Sequence, residues 1–385
     1  MARSFRPFRS PSGPARKVGL GARTNWVTAG LLTLLLAWIF RINPYFCEVV
    51  YSRGIYLLLR LGWDYTAGWL PLPWLYPLAA GLLGWGGWRI WHIRRRGLRR
   101  RGWRLVGRIF LNLLALVAGV VTIFYLAWGY NYFRRPVTEQ LHIPPVQATG
   151  EGLEAEFQRA TTELLAAHAA LGPRDSVALG PEDLPPRLES HLRALLTDTL
   201  AALQYPTAGR VRVRRIHPPG LLMQLGASGI YLPFVGEGHY DAALPPCLWP
   251  EVMAHEMAHG YGFGDEGTCN FWAWLACSSS PYPAVRYSAC LSYWIEVARS
   301  YRRHHPDAYA ARRAQLSPGI RADFAAINAA YQRYPGFFPQ FYDRVYDGYL
   351  KQQGISEGIR SYAKVVQLRL GWEQVSGKKI NGAER

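Results

Sequence analysis

Acidic residues are almost missing from the first third of this 385-residue chain. Residues 1–135 hold 20 Lys and Arg but only two acids, Glu48 and Asp64. Residues 136–385 hold 24 basic and 24 acidic side chains and are neutral. The whole excess of +18 therefore sits at one end, which removes the case for a nucleic-acid partner in the remainder. Cysteine is also scarce, at five, which excludes a disulfide mini-scaffold. No C-x-x-C spacing occurs, so a zinc site built from cysteines is not expected. Cys269 and Cys277 lie about two helical turns apart, too far to bond within one helix. Zero or one disulfide is expected among Cys247, Cys269, Cys277 and Cys290. Low-complexity tracts and internal repeats are absent, and half of the chain is hydrophobic, which excludes disorder.

What the first third has instead is tryptophan and long apolar runs. Ten of the 15 Trp lie there. Three stretches stand out: Trp26 to Phe40, about Thr66 to Trp88, and about Leu105 to Tyr130. A membrane-crossing helix needs about 20 mostly apolar residues, so the second and third qualify, and the first qualifies when Thr24 and Asn25 extend it. Arg41-Ile42-Asn43-Pro44 follows the first with no small-x-small cleavage site, which favours a retained anchor over a signal peptide. Basic segments stay in the cytoplasm. Six Lys and Arg precede the first run, and Arg94, Arg95, Arg96, Arg99, Arg100 and Arg101 precede the third. The expectation is a multi-pass protein of a bacterial cell membrane with a cytoplasmic N-terminus and everything after the third span outside. Arg134 and Arg135 oppose this weakly. Trp69, Trp74, Trp88, Trp91, Trp103 and Trp128 fall near span ends, where an interfacial belt would put them. Tyr51 to Trp63 is too short to span beside its two arginines and reads as an amphipathic helix on the outer surface.

The expected organisation is a basic leader at 1–25, a three-span anchor at 26–135, a linker at 136–150, and a domain at 151–385. In that domain helical periodicity covers Glu151–Leu171 and Leu188–Leu203. Alternating or β-branched patterning marks strands at Arg210–Ile216 and in Gly229–Leu244. Pro250 opens a helix running to about Tyr261, closed by Gly262-Phe263-Gly264. Further helices are expected at Gly267–Ser278, Pro283–His304, Pro306–Gln315, Gly319–Tyr334, Pro339–Gln352 and Gly358–Leu370. The fold class is thus three N-terminal transmembrane α-helices followed by an α+β, mostly helical, zincin-like domain with a small sheet.

His255-Glu256-Met257-Ala258-His259 reads H-E-x-x-H on the helix opened by Pro250. Four residues make about one turn, so the two imidazoles share a face and can hold one metal ion, Zn2+ by preference. Glu256, one step round the helix, suits a general base. Chance yields such a match in roughly one chain in a hundred of this composition, and the plain alternative is a histidine pair beside a glutamate. A catalytic zinc site takes a third protein ligand. One candidate is Asp265, from reading H-E-x-x-H-x-x-G-x-x-D literally in the manner of metzincins. No Met follows Met257, however, so their Met-turn is lacking, and Asp265 also suits a helix N-cap. The other is Glu266, one helical turn before Asn270, which would hydrogen-bond a ligand histidine from behind in a gluzincin-like arrangement. The missing Met-turn favours Glu266.

HEMAHGYGFGDEGTCNFWAWLAC, with GIYLPFVGEG upstream and VYDGYLKQQGISEGIRSYAKVVQL downstream, resembles a bacterial family known as domain of unknown function 3810. The resemblance covers most of the chain. It implies a few N-terminal spans, then an H-E-x-x-H zinc metallopeptidase domain of unassigned substrate. Family members carry E-x-E-A-N-F, and Glu266 and Asn270 match it, whereas Thr268 stands where the second acid belongs. Glu237 also matches a family glutamate and is a candidate for a substrate amine or for supporting the site; a hairpin-turn carboxylate is the plain reading. Tyr362 is a candidate donor to a tetrahedral oxyanion, against ordinary core packing.

The expected activity is peptide hydrolysis by zinc-activated water, with His255, His259 and Glu266 as ligands and Glu256 as the base. The expected partners are a peptide or protein substrate outside the cytoplasm and membrane lipid, with no nucleic acid. The competing expectation is a non-catalytic membrane protein whose metal site is structural or degenerate, serving as an interaction or scaffold module.

Overall fold

Long, mostly apolar runs make the two longest N-terminal helices, α1 (Val18–Ile42) and α5 (Trp103–Ala127). A computed structural model describes residues 18–66, 68–96, 103–146, 149–174, 176–337, 344, 347–348, 350–353 and 364–383. Among these residues, Gly21–Ile42 and Val106–Ala127 are long and apolar enough to cross a membrane, two helices rather than the expected three. The run from Thr66 to Trp88 does not form one helix. Pro71 and Pro73 lack the N–H that a helix interior needs. The chain turns there, and α4 (Leu75–Arg96) starts beyond them. Four of its last eight residues are Arg89, Arg94, Arg95 and Arg96. Its charge-free part, residues 75–88, is only about 21 Å long, against a hydrocarbon core of about 30 Å.

Helices α1 and α5 pack parallel. Arg23 and Thr24 lie beside Leu111 and Leu114, Gly30 lies against Ala118, and the Thr33 hydroxyl is 3.4 Å from that of Thr122. A Cβ on Gly30 would come within 2.8 Å of the Ala118 Cβ, so glycine permits the close approach. Between them, α2 (Pro44–Phe46), a π-type segment (Cys47–Ile55) and α3 (Tyr56–Thr66) run on as one rod. This rod is amphipathic, as Tyr51 to Trp63 suggests. Cys47, Glu48, Tyr51, Tyr56 and Arg60 are buried. Val49, Leu58, Leu59 and Tyr65 are exposed on the other side.

The rest is mostly helical: α6 (Val137–Gln140), α7 (Glu151–Ala169), α8 (Leu188–Ala202), α9 (Leu221–Gln224), α10 (Trp249–Gly260), α11 (Glu266–Ser278), α12 (Pro283–His304), α13 (Pro306–Ala314), α14 (Pro318–Arg333) and α15 (Lys364–Ala383). The segment read as a linker is packed, since Val137 and Ile143 are buried in the main core. Helices α7 and α12 pair through Phe157, whose ring stacks on Tyr301 at 4.2 Å. The core centres on Trp272, Trp294, Leu164 and Leu192, all fully buried.

Three strands, β1 (Val213–Ile216), β2 (Gly229–Leu232) and β3 (Glu237–Asp241), form one mixed sheet in the order β1-β3-β2. The first pairs parallel with β3, Val213 opposite Gly238. The second pairs antiparallel, Gly229 opposite Tyr240 and Leu232 opposite Glu237. This order leaves β2 as an edge. Helix α10 packs against the sheet closely enough that a Cβ on Gly229 or Gly238 would strike Glu256.

Candidate metal centre

Local sequence sets the two helices that carry the site. Pro250 sits in the first turn of α10, where a missing N–H costs nothing. The helix ends at Gly260, and Gly262, at φ +86°, takes the left-handed turn that leads out of it. Asp265 then caps α11, accepting from the Thr268 N–H at 2.8 Å and from its hydroxyl at 2.7 Å. This cap fixes Asp265 away from the histidines, and the cluster able to hold a metal is His255, His259 and Glu266. Sequence reading favours the same three.

The two Nε2 atoms are 3.1 Å apart. Glu266 Oε2 lies 3.0 Å from that of His255 and 3.3 Å from that of His259. Tetrahedral zinc with bonds of about 2.0–2.1 Å holds its ligand atoms about 3.3 Å apart, so the donor set matches in size and type. Both imidazoles are fixed from behind. His255 Nδ1 is 2.6 Å from Asn270 Oδ1, the contact expected of Asn270. His259 Nδ1 is 2.8 Å from the Phe263 carbonyl. Each Nδ1 faces an acceptor and so carries the proton, which aims both Nε2 lone pairs at one point. Two lone pairs at 3.1 Å repel unless a positive charge lies between them. Electrostatics agrees. Burial pushes the Glu266 carboxyl up, but His259 and His255 overcome it and hold it well below the carboxylate range. Burial likewise opposes charge on the histidines, yet the hydrogen bond to Glu266 raises the His255 imidazole, and Cys269 and then Glu266 raise that of His259.

Glu256 is buried, and its Oε2 has no hydrogen-bond partner among the described residues. Burial pushes its carboxyl up to about 7. A cleft of about 660 Å³ opens over these groups. Strand β2 forms one wall, Glu251, Glu296 and Arg299 lie along another side, and Phe124 and Trp128 come from the end of α5. Glu237 does not line this cleft. Its Oε2 accepts from the Trp74 N–H at 2.9 Å and its Oε1 is 3.1 Å from Arg212, so it ties β3 to the turn before α4. Tyr362 lies outside the described residues, as does most of the helix expected at Pro339–Gln352. All five cysteines are free.

The end of α10 is held by residues of the first third of the chain. Four last-turn carbonyls of any helix lack internal partners. Here Trp128 Nε1 donates to the His259 carbonyl at 2.8 Å. Tyr56 Oη and Arg60 Nη1 donate to Gly260 at 2.6 and 3.1 Å. Arg134 Nη1 donates to Gly262 at 2.8 Å and pairs with buried Glu48 at 2.8 Å. Two cations thus meet the negative end of the helix. Sequence reading misses all four donors, because they lie more than 120 residues away and each has another ready meaning. Arg134 is the clearest case: it opposes the topology rule because it serves a buried ion pair.

No curated protein and no solved structure matches the chain. Residues 51–370 match the model of a family described as a protein of unknown function, DUF3810. That match spans most of the chain, which therefore belongs to this family.

Proposed function

We propose that this protein is a membrane-anchored zinc peptidase. The observation that carries the reading is the convergence of two Nε2 lone pairs and a carboxylate oxygen, 3.0–3.3 Å apart, on the floor of an open cleft. A structural zinc site closes itself with four protein ligands, whereas three ligands facing a cleft leave a position for chemistry. Bound there, zinc would act as a Lewis acid that lowers the pKa of water and polarises a carbonyl.

The chain's own residues supply the remainder. His255, His259 and Glu266 hold the ion, and Asn270 and the Phe263 carbonyl keep the imidazoles in register. Glu256 is ionised at neutral pH once a cation sits beside it. It takes a proton from water and passes it to the leaving amine. Edge strand β2 gives an extended peptide a row of backbone groups to pair with, beside Glu256.

Helices α1 and α5 are the candidate spans, and α4 is too short in apolar length to count as a third. Parallel α1 and α5 require a return path between them. Tyr76 and Trp74 tie the start of α4 to His217 and Glu237 in the main body. Six residues, 97–102, join its far end to the start of α5, which lies about 37 Å from that body by helix length. The basic ends of α4 and α5 then share one side with the leader, the cytoplasmic side.

Metal analysis of the full chain in detergent, beside hydrolysis of a mixed peptide set, tests the reading. Zinc bound by wild type and by Glu256→Gln, with cleavage by wild type alone, is expected. Failure of the zinc-loaded wild type to retain metal would overturn it.

A further inference from the structure

The cleft and the anchor share residues, and this bears on substrate class. Phe124 belongs to the apolar helix Val106–Ala127 and Trp128 follows it, yet both line the cleft. The Trp128 ring stands 6.1 Å from that of His259. In the turn just past the edge strand, Phe234 packs on Phe124 at 6.3 Å and is itself exposed. Strand β2 therefore starts beside Glu256 at Gly229, and the turn that follows it reaches a candidate span at Phe124.

Two further features mark the same level as the bilayer surface. Helix α1 ends there, with Phe40 packed on Tyr130 just past α5. The rod from Pro44 to Thr66 presents Tyr45, Val49, Leu58, Leu59 and Tyr65 outward, an apolar face with nothing packed on it among the described residues. Its buried face holds Tyr56 and Arg60, which grip α10. An amphipathic helix so placed lies in the headgroup plane.

We infer that the substrate is the juxtamembrane segment of a membrane-anchored polypeptide, cut within about five residues of the bilayer surface. This rests on the peptidase reading above. Strand β2, Gly229–Leu232, covers three residue steps, or about 10 Å at a strand rise of roughly 3.3 Å, and Phe234 follows in the turn beyond it. A segment paired along β2 would leave the bilayer beside Phe234 and reach Glu256 one strand length later. A soluble peptide fits the same cleft but gains nothing from that arrangement.

The test uses the full chain in phosphatidylethanolamine–phosphatidylglycerol vesicles and fluorogenic peptides of randomised sequence in three formats. One is free. One is joined to a single transmembrane helix with the random segment directly at the surface. The third has a 40-residue Gly/Ser spacer between helix and segment, which holds it about 35 Å away on average while keeping it on the vesicle. The near format is expected to be cut at least tenfold faster than the far one, with scission within about five residues of the helix. Equal rates for near and far formats, or cleavage of the free format alone, would overturn the inference and leave the peptidase reading standing. No cleavage in any format by zinc-loaded protein would overturn both.

Discussion

Arg134→Met isolates the link between anchor and metal centre. The Arg134 side chain is 7% exposed and that of Glu48 is 5% exposed. They pair in a fork, Nε to Oε2 at 2.9 Å and Nη2 to Oε1 at 2.8 Å. The same guanidinium donates to the Gly262 carbonyl and lies 4.4 Å from the centre of the Phe263 ring. Burial pushes the Glu48 carboxyl up, but Arg134 and then Arg53 outweigh it and hold it below its usual value. Methionine keeps the bulk and removes the charge. Glu48 is left with Arg53 alone, and the Gly262 carbonyl loses its charged donor. Breaking a buried pair in this way costs about 3–5 kcal/mol. At about 2 °C per kcal/mol for a chain of this size, the midpoint falls by roughly 6–10 °C. Thermal unfolding of the detergent-solubilised full chain reads it directly. Glu48→Gln combined with Arg134→Met should recover part of the loss, because no charge is then stranded. A shift under 2 °C, or a double variant that loses the sum of both singles, would refute the argument.

Other outcomes follow from the same geometry. Asn270→Ala frees the His255 ring, and competition against a chelator should show zinc affinity about 10–100-fold weaker with the fold intact. Gly229→Ala places a Cβ 2.6 Å from Glu256 Oε1, so peptide hydrolysis should fall while bound zinc, measured by metal analysis, stays near one per chain. Burial, with Arg214 assisting, lowers the His239 imidazole to about 4, and neither ring nitrogen has a partner among the described residues. Below about pH 6.5 the unfolded chain takes a proton that the folded one refuses, so stability drops as pH falls toward 4, by about 3 kcal/mol in all. His239→Phe should flatten that part of a denaturation series run across pH, and an unchanged slope would count against the assignment.

The His255–His259–Glu266 cluster is legible in sequence because its parts are local. His255 to Asn270 spans one helix, one turn and the start of the next, and helical spacing alone brings these side chains together. Asp265 shows the same locality, since a residue before a helix with Thr three positions on reads as a cap. Contacts made across the chain are not legible. Trp128 near a span end has an interfacial meaning that hides its bond to His259. Glu237 sits in a strand beside the active helix, yet alternation along β3 turns it toward Arg212. The third crossing fails by composition, as Pro71 and Pro73 move the helix start and leave too short an apolar length.

The grip of Trp128, Tyr56, Arg60 and Arg134 on the end of α10 also bears on ancestry. A tether joined by a loose hinge can be exchanged between genes and leave the catalytic body working. Here an exchanged tether would remove three donors from the helix that carries both histidines and a fourth from the turn after it. The two parts are therefore expected to tolerate exchange poorly. The family match begins at residue 51, inside the rod that carries Tyr56 and Arg60 and after α1, and runs on through His255, His259 and Glu266.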